Sequence, residues 1–425
     1  MEEIRTTENA ILVGLESGDE AEARSSMDEL RELTSTAGAE IIGEFTQKRD
    51  KPDNACYIGK GKAEELFAEA KALDADVVII NDDLSPTQLR NLRDAVQVRV
   101  IDRTQLILDI FAQRARSSEG KLQVELAQLN YMLPRISSLY TEFERQQGGI
   151  GLRGPGETKV EADRSRIRKR ISDLSKEMEE VKQRRHIQKN ARERLPFPTA
   201  ALVGYTSAGK STLLNTLSGS DVLVDRKLFA TLDPTTRKVV LPDGWAVLIT
   251  DTVGFIRDLP HALIAAFRAT LEEVTEADFL IHVVDASHPQ MVAQIGAVHH
   301  VLKELDADDK PMVTVFNKSD LLADQYLVRK MVADNPHSVY ISALKRDGIP
   351  QLMAVINKTL QSLLVRMSLQ IPYDRSDLVS LCYDSGRVIK AEYTPEFILV
   401  EAEVSHEIAG KLQKYVPISD EWSTT

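Results

Sequence analysis

A phosphate-binding loop is the clearest chemical signal in this sequence. An apolar run at 200–203 leads into the eight residues 204–211, which read Gly-Tyr-Thr-Ser-Ala-Gly-Lys-Ser, and a helical pattern follows at 212–217. In that context glycines let backbone N–H groups close around phosphate oxygens, and the helix N-terminus adds positive potential. We expect Lys210 to reach the β- and γ-phosphates and Ser211 to bind Mg²⁺. The residues expected to contact the nucleotide here are Gly204, Tyr205, Thr206, Ser207, Ala208, Gly209, Lys210, Ser211 and Thr212.

Two further segments are placed to sense the γ-phosphate. Asp251 and Gly254 form an Asp-x-x-Gly pattern directly after the strand pattern 247–249, so Asp251 can hold Mg²⁺ through water and the Gly254 amide can face the γ-phosphate. Thr231 is the candidate for the mobile Mg²⁺ ligand, with an ordinary surface loop as the alternative. Lys210, Thr231 and Gly254 are therefore the candidate catalytic residues. The two segments are expected to contact the nucleotide through Phe229, Ala230, Thr231, Leu232, Asp233, Asp251, Thr252, Val253 and Gly254.

A third pattern selects the base. Asn317-Lys318-Ser319-Asp320 follows a strand pattern at 312–316, and the Asp320 carboxylate can accept both the ring N–H and the exocyclic amine of guanine. Adenine lacks that amine and would leave a buried carboxylate facing an acceptor, which is costly. The backbone N–H of Ala343 is expected near the guanine oxygen. This pocket, expected to select GTP over ATP, comprises Asn317, Lys318, Asp320, Ser342, Ala343 and Leu344.

One catalytic group is missing from these patterns. Phe255 follows Gly254, where small signalling GTPases carry a water-orienting glutamine, and a phenyl ring cannot orient water. We therefore expect slow intrinsic hydrolysis, with the missing group supplied from elsewhere in the chain or by a partner. Arg237 and Arg257 could reach phosphate from the mobile loops, although solvated surface arginines are the more ordinary interpretation.

The elements that position these motifs predict an α/β protein with four parts. Strand and helix patterns alternate at 1–104 and again at 199–360, which favours a small parallel α/β domain followed by a P-loop GTPase domain. The strand patterns of the first part are 10–15, 40–45, 77–81 and 99–101, and its helical patterns are 23–37, 61–73 and 86–95. A small α+β domain is expected at 370–425. Its predicted strands are 379–383, 388–393 and 397–404, with a helix from Glu407.

Between the two α/β domains, residues 105–194 predict a long antiparallel helical hairpin. Heptad spacing is present on both sides of a glycine-rich break at 147–156, and Pro134 should kink the first arm. A helical pair lying flat on the body is the alternative to a projecting hairpin. The apolar heptad positions are Leu122, Leu126, Leu129, Leu133, Ile136, Tyr140 and Phe143, followed by Ile167, Ile171, Leu174, Met178 and Val181.

Composition and charge limit the classes of partner and the cellular compartment that fit this chain. The chain has 425 residues, 43% hydrophobic and 28% charged, which excludes wholesale disorder. Two distant cysteines, Cys56 and Cys382, fit no metal or disulfide framework, and no apolar run approaches the ~20 residues that cross a bilayer. The formal net charge is −12, yet residues 151–200 hold 14 Lys and Arg against 8 Asp and Glu. A local basic segment beside a glycine-rich tip favours contact with nucleic-acid phosphate.

Together these motifs resemble those of the HflX GTPases, over about residues 10–365. The match includes the phosphate loop and the patterns at 229–233, 251–255 and 317–320, together with 57–62, 101–104, 107–112 and the run 148–157 around the glycine tip. The resemblance implies a GTP-hydrolysing factor that binds the large ribosomal subunit and its RNA. It implies that this factor splits stalled or idle ribosomes under stress such as heat, with the hairpin tip inserted toward the peptidyl transferase centre. We expect a cytoplasmic monomer, in part ribosome- or membrane-associated, without membrane insertion.

In two respects this sequence departs from the family pattern, which limits the family properties that we expect here. The family usually has Asn at the position of Ser207, and in several related GTPases that Asn helps to hold an activating potassium ion. Serine is shorter and ligates monovalent cations less well, which argues against potassium activation here. The resemblance also implies weak ATP binding by the N-terminal region, but residues 1–104 contain no second phosphate loop.

Two other functions stay open from the sequence alone. A GTP-dependent switch acting on a protein partner through the hairpin predicts nucleotide-dependent protein binding without ribosome association. An ATP-dependent enzyme that remodels ribosomal RNA through residues 1–104 predicts ATP hydrolysis that survives Lys210→Ala and Asp320→Ala. The Asn317–Asp320 pattern favours GTP, and the basic glycine tip favours RNA.

Overall fold

The N-terminal part is a four-stranded parallel sheet, as expected. The computed structural model describes residues 7–16, 18–136, 155–192, 197–219, 228–257, 271–322 and 326–417. The sheet order is β2–β1–β3–β4, with β1 at Asn9–Glu16, β2 at Glu40–Lys48, β3 at Val77–Ile80 and β4 at Arg99–Asp102. All four residues of β3 are buried, because apolar clusters cover both faces of the sheet.

Three helices connect these strands close to the predicted positions. They are α1 at Glu20–Ala37, α2 at Lys60–Ala72 and α3 at Pro86–Val96. Asp19 caps α1, and its carboxylate accepts the Ala21 N–H at 3.0 Å. Ser85 caps α3 in a capping box with Gln88, which is the start that the Ser85-Pro86 sequence favours.

Helices of the middle region pack on this domain and on each other. Helix α4 (Arg103–Arg114) packs against α1, and α5 (Ser118–Met132) packs against α4 and the long α6 (Pro155–Arg192). The 38 residues of α6 correspond to about 57 Å. Leu174 and Met178 of the predicted heptad are buried. The pairing of α5 with α6 agrees with a helical hairpin, and most of its glycine-rich tip lies outside the described residues.

The end of α5 behaves as its proline predicts. The helix stops at Met132 and is followed by one 3₁₀ turn, Leu133–Arg135, with Pro134 in its first positions. Proline has no N–H to donate and its ring clashes with the preceding turn, so the regular helix cannot continue through it. The Arg135 guanidinium lies over the Tyr131 ring and donates to the Leu84 carbonyl at 2.8 Å, which fastens this point to the N-terminal domain.

The GTPase domain is a six-stranded sheet in the order β10–β9–β8–β5–β7–β6. All neighbouring strands are parallel except the β6–β7 pair. The strands are β5 at Thr199–Val203, β6 at Thr235–Val240, β7 at Ala246–Asp251, β8 at Phe279–Asp285, β9 at Met312–Asn317 and β10 at Ser338–Tyr340. The helices are α7 at Lys210–Ser218, α8 at Glu272–Glu276, α9 at Met291–Glu304, α10 at Tyr326–Asp334 and α11 at Ile349–Ser362. The carboxyl ends of these parallel strands carry the motifs.

The C-terminal part corrects one prediction. Its antiparallel sheet has the order β11–β13–β12, with β11 at Leu364–Pro372, β12 at Gly386–Tyr393 and β13 at Phe397–Ser405. The predicted strand at 379–383 is wrong, because it lies inside helix α12 (Ser376–Ser385). Its buried residues Leu378, Val379 and Cys382 fall at helical spacing, which a short apolar run does not reveal. Helix α13 (His406–Leu412) begins one residue before its predicted start.

One hydrophobic core joins the first three parts of the chain. Residues of two GTPase-domain loops are buried among residues of α1, α4 and α5 in a single cluster. The loop residues in that cluster are Leu228, Phe229, Leu232, Val253 and Ile256. The loops around Thr231 and Gly254 therefore contact the N-terminal domain and the hairpin arm directly. Among the described residues, none of the helices is both long enough and apolar enough to cross a bilayer.

Candidate nucleotide-binding site

The phosphate loop is closed around Lys210. Gly209 begins helix α7, and the Lys210 ammonium donates to the carbonyl oxygens of Gly204 at 3.0 Å and Tyr205 at 2.9 Å. The side chain is buried, and burial lowers the pKa of Lys210 to about 8, although the negative charge of Asp251 acts to raise that pKa. The loop thus holds one positive charge beside a ring of backbone amides, which suits a polyphosphate.

Three side-chain oxygens converge beside this loop. Ser211 Oγ lies 2.9 Å from Thr231 Oγ1 and 2.6 Å from Asp251 Oδ2, and Thr231 Oγ1 lies 2.8 Å from the same carboxylate oxygen. The second oxygen, Asp251 Oδ1, is buried and has no hydrogen-bond partner among the described residues. Hydroxyl and carboxylate oxygens are the ligands that Mg²⁺ prefers, and a buried carboxylate oxygen without a donor suits a cation. The residues present therefore fit a magnesium ion.

Gly254 lies directly against the phosphate loop. A Cβ placed on it would lie 2.9 Å from Thr206 Cα and 3.0 Å from Lys210 Nζ, so only glycine fits without a shift. The next residue is fastened to the same loop, because Phe255 N–H donates to the Gly204 carbonyl at 3.1 Å and the Phe255 carbonyl accepts from Thr206 N–H at 2.7 Å. The Gly254 backbone is therefore placed beside Lys210.

Phe255 and Arg257, which follow Gly254 closely, are engaged with other parts of the chain. The Phe255 ring is buried in a core with Leu271 and Val274. The Arg257 guanidinium reaches Glu22 at 3.1 Å and Gln290 Oε1 at 2.9 Å. Arg257 therefore contacts α1 and the segment before α9.

The base pocket is built by Asn317 and Asp320. Asn317 donates to the Ala208 carbonyl at 2.9 Å, which joins the pocket to the phosphate loop, and its side-chain oxygen accepts the Ala343 N–H at 2.9 Å. Asp320 accepts from Ser342 Oγ at 2.7 Å. The Ala343 N–H, expected near the guanine oxygen, lies next to Asn317 in this pocket. Leu344 is 75% exposed at the mouth of the pocket.

Comparison with known proteins decides the family. Matches to protein-family models cover 24–112 (GTP-binding GTPase N-terminal), 114–192 (GTP-binding GTPase Middle Region), 199–318 (50S ribosome-binding GTPase) and 327–416 (HflX C-terminal domain). The GTPase HflX of Caldanaerobacter subterraneus subsp. tengcongensis is 48% identical over 417 residues, covering 98% of this chain and 96% of that protein. The chain belongs to the HflX family of GTPases. The GTPase HflX of Escherichia coli is 44% identical over 365 residues, or 86% of each chain.

A solved structure supports the fold of this HflX-family chain. The structure described as "crystal structure of SsGBP and GDP complex" is 25% identical, with a TM-score of 0.50, and covers 84% of this chain and 99% of that one. The family and the P-loop fold together show that the protein is a GTP hydrolase.

Several residues expected at the nucleotide have side chains that contact other parts of the chain. The side chains of Phe229, Leu232 and Val253 are buried in the core shared with α4 and α5. The Asp233 carboxylate accepts the N–H groups of Arg116 and Ser117 just before α5, and the Thr252 hydroxyl donates to the Leu202 carbonyl at 2.6 Å. Within 229–233, Thr231 directs its hydroxyl at the three-oxygen cluster. Apolar and hydrogen-bonding residues appear there because the loop is packed against two other parts of the chain.

Sequence reasoning missed the residues of the first two parts of the chain that contact this site. Glu29 of α1 contacts Tyr205, and Ser117 before α5 contacts Asp233. The available signal was weak: Glu29 stands beside Leu30 on the buried stripe of α1, where a charged side chain needs a partner. The identity of that partner depends on the tertiary fold.

Proposed function

We propose that this HflX-family GTPase binds the large ribosomal subunit and dissociates stalled or idle ribosomes under stress such as heat. The observation that carries the proposal is a set of nucleotide-site residues beside which Phe255 offers no group that could orient water. Lys210 and the three-oxygen cluster are in place, while the Phe255 ring is buried in the core. A GTPase of this kind needs a partner that completes its site. The match of 199–318 to a model described as a 50S ribosome-binding GTPase supports the ribosome as that partner.

We assign the site residues their roles on this basis. Lys210 binds the β- and γ-phosphates, Ser211 and Thr231 bind Mg²⁺, and Asp251 acts on the metal through water. When bound, Mg²⁺ neutralises charge on the phosphate oxygens. The Gly254 amide orients the terminal phosphate beside the Lys210 ammonium. The remaining contacts to phosphate and sugar come from the loop residues predicted from the sequence.

The base pocket gives the specificity for GTP. Asp320 accepts two N–H groups of guanine, and Asn317 braces the pocket against the phosphate loop through Ala208. An adenine ring would face the same carboxylate with an acceptor, which desolvates Asp320 without a partner.

The helical pair contacts ribosomal RNA in this proposal. Helix α6 presents exposed Arg166, Arg168 and Lys169 in its middle, and the basic surplus of 151–200 continues toward the tip. Lys and Arg neutralise backbone phosphate and release counterions, which gives affinity without base sequence. The same proposal includes a cytoplasmic monomer. It also includes the division of the chain into four parts, at 1–104, 105–194, 199–360 and 370–425.

GTP turnover measured with and without purified large subunits tests this function. We expect strong stimulation by the subunits, none with the Lys210→Ala variant, and sedimentation with ribosomes in a non-hydrolysable GTP analogue. Intact ribosomes incubated with the protein and GTP should separate into subunits on a sucrose gradient. No stimulation together with absence from the ribosome pellet would overturn the proposal and leave a switch with a protein partner. ATP turnover that survives Lys210→Ala and Asp320→Ala would instead favour remodelling of RNA by residues 1–104.

A further inference from the structure

Asp233 connects the mobile magnesium ligand to the hairpin. It lies two residues after Thr231, and its Oδ2 accepts the backbone N–H groups of Arg116 at 3.1 Å and Ser117 at 2.9 Å. Its Oδ1 accepts from the Ser117 hydroxyl, which itself accepts the Gly120 N–H at 2.9 Å. The carboxylate therefore holds the two residues that lead into α5, while Ser117 itself caps the helix through its contact with the Gly120 N–H. A negative charge beside the N-terminus of a helix also interacts favourably with the helix dipole.

The residues on both sides of Thr231 are held by the same helices. The Phe229 ring packs edge-on against Phe111 of α4, with centroids 4.7 Å apart at 77°. Leu232 is buried in the core that contains Val124 and Ala127 of α5. Thr231 itself turns the other way and reaches Ser211 and Asp251. The loop is thus fixed from behind by the N-terminal domain and the hairpin while its hydroxyl faces the metal cluster.

We propose that Asp233 is a positioning residue for GTP hydrolysis: by accepting the N–H groups of Arg116 and Ser117 it holds Thr231 in the three-oxygen cluster beside Lys210, and so couples the GTP-bound state to the position of the hairpin. A segment ordered by the γ-phosphate is released on hydrolysis. Because coupling between two sites is reciprocal, a partner that holds the hairpin in this position strengthens GTP binding, and GTP strengthens binding of that partner. The identity of the partner rests on the proposed function, whereas the link between Asp233 and Thr231 does not.

The test compares two nucleotides on the isolated full chain. Dissociation constants are measured by fluorescence for Mg²⁺ with a non-hydrolysable GTP analogue and for Mg²⁺ with GDP. With Asp233→Ala, affinity for the GTP analogue should fall about tenfold, the size of a lost hydrogen bond to a charged group, while affinity for GDP is unchanged. Asp233→Asn keeps an acceptor oxygen and should restore most of the difference between the two nucleotides.

A second variant, Gly120→Ala, displaces the Asp233 carboxylate without replacing Asp233 itself. A Cβ on Gly120 would lie 2.6 Å from Asp233 Oδ1 and 3.1 Å from Ser117 Oγ, so the carboxylate must shift from its contacts with Ser117. This variant should reproduce the selective loss of GTP-analogue affinity, and it keeps the test decisive if Asp233→Ala fails to fold.

The control is Asp19→Ala, which removes a carboxylate contact at the N-terminus of a different helix, α1. It should lower the melting temperature while leaving the ratio of the two dissociation constants at the wild-type value. Equal loss of affinity for both nucleotides in Asp233→Ala, or no loss in a folded variant, overturns the proposal. Ribosomes are absent from these measurements, so failure here is distinct from failure of the ribosomal function.

Discussion

Tyr205 of the phosphate loop donates its hydroxyl proton to the Glu29 carboxylate of α1 at 2.5 Å, and the same oxygen accepts the Arg257 N–H at 2.7 Å. Glu29 also pairs with Arg103, which donates to Asn81 Oδ1 at 3.0 Å. Burial and the neighbouring Glu29 charge raise the pKa of Tyr205, so the phenol stays protonated and remains a donor. One phenol oxygen therefore joins the phosphate loop, the loop after Gly254 and the N-terminal domain.

Tyr205→Phe should destabilise the protein by about 1–3 kcal/mol, because Glu29 loses a buried donor and Arg257 N–H loses its acceptor. The measurement is the free energy of unfolding from denaturant titration. Tyr373→Phe is the control, since that exposed hydroxyl bonds the Thr394 carbonyl within the C-terminal part. Equal effects of the two substitutions would show that the interdomain contact contributes nothing of its own.

Thr231→Ala should lower GTP turnover by at least about tenfold, because one oxygen ligand and its orientation toward the terminal phosphate are lost. Affinity for GDP should be retained, since the assigned role of Thr231 is to sense the γ-phosphate. The matched control is Thr236→Ala, whose hydroxyl contacts Thr250 in the β6–β7 pair and should leave turnover unchanged. Unaltered turnover in Thr231→Ala would remove this residue from the site.

Asp320→Asn should exchange the base preference from guanine to xanthine nucleotides. The amide offers one donor and one acceptor, which matches the carbonyl and N–H that xanthine presents where guanine has an amine and N–H. Competition binding with GTP and xanthosine triphosphate measures the exchange, and discrimination should shift by about 10²-fold or more. Asp347→Asn, at an exposed neighbouring carboxylate, should keep the guanine preference. Retention of that preference in Asp320→Asn would mean that Asp320 does not contact the base.

The nucleotide site was predictable because its chemistry fixes residue types at fixed spacing. Lys210, Ser211 and Asp251 lie together as expected, since parallel strands bring their carboxyl ends to one edge. The contact between Asp233 and the start of α5 was not predictable. A carboxylate in a loop can bind backbone N–H groups or face a nucleotide, and only the fold brings α5 to it. The strand predicted at 379–383 failed for another reason. A short apolar run fits a strand or a buried helix equally, and packing against the C-terminal sheet decides between them.

His282 should make stability fall on acidification. Its ring is buried on β8, Nδ1 has no partner among the described residues, and burial lowers its pKa to about 3, with the His299 ring at 5.6 Å and the Lys210 charge acting in the same direction. The unfolded chain therefore binds a proton below about pH 6.5 that the folded protein does not. Unfolding free energy should decrease by about 2 kcal/mol between pH 7 and pH 5 from this residue alone.

Urea titrations at several pH values measure that slope in wild type and His282→Phe. The variant keeps a ring of similar shape without a titrating group, so its slope should be shallower by the amount given above. His300→Gln is the control because the His300 side chain is 73% exposed, and it should retain the wild-type slope. An unchanged slope in His282→Phe would show that His282 is not the group that titrates.

Ser207→Asn should confer stimulation by potassium. Ser207 is exposed in the phosphate loop with a φ of 58°, a left-handed conformation that Asn adopts readily, so the substitution should fold without strain. Its longer side chain brings a carbonyl oxygen that can ligate a monovalent cation beside the phosphates, which the serine hydroxyl does less well. GTP turnover in potassium and in sodium should be equal for wild type and for Ser207→Ala, and faster in potassium for Ser207→Asn. Wild-type turnover that already depends on potassium would show that serine is a sufficient ligand at this position.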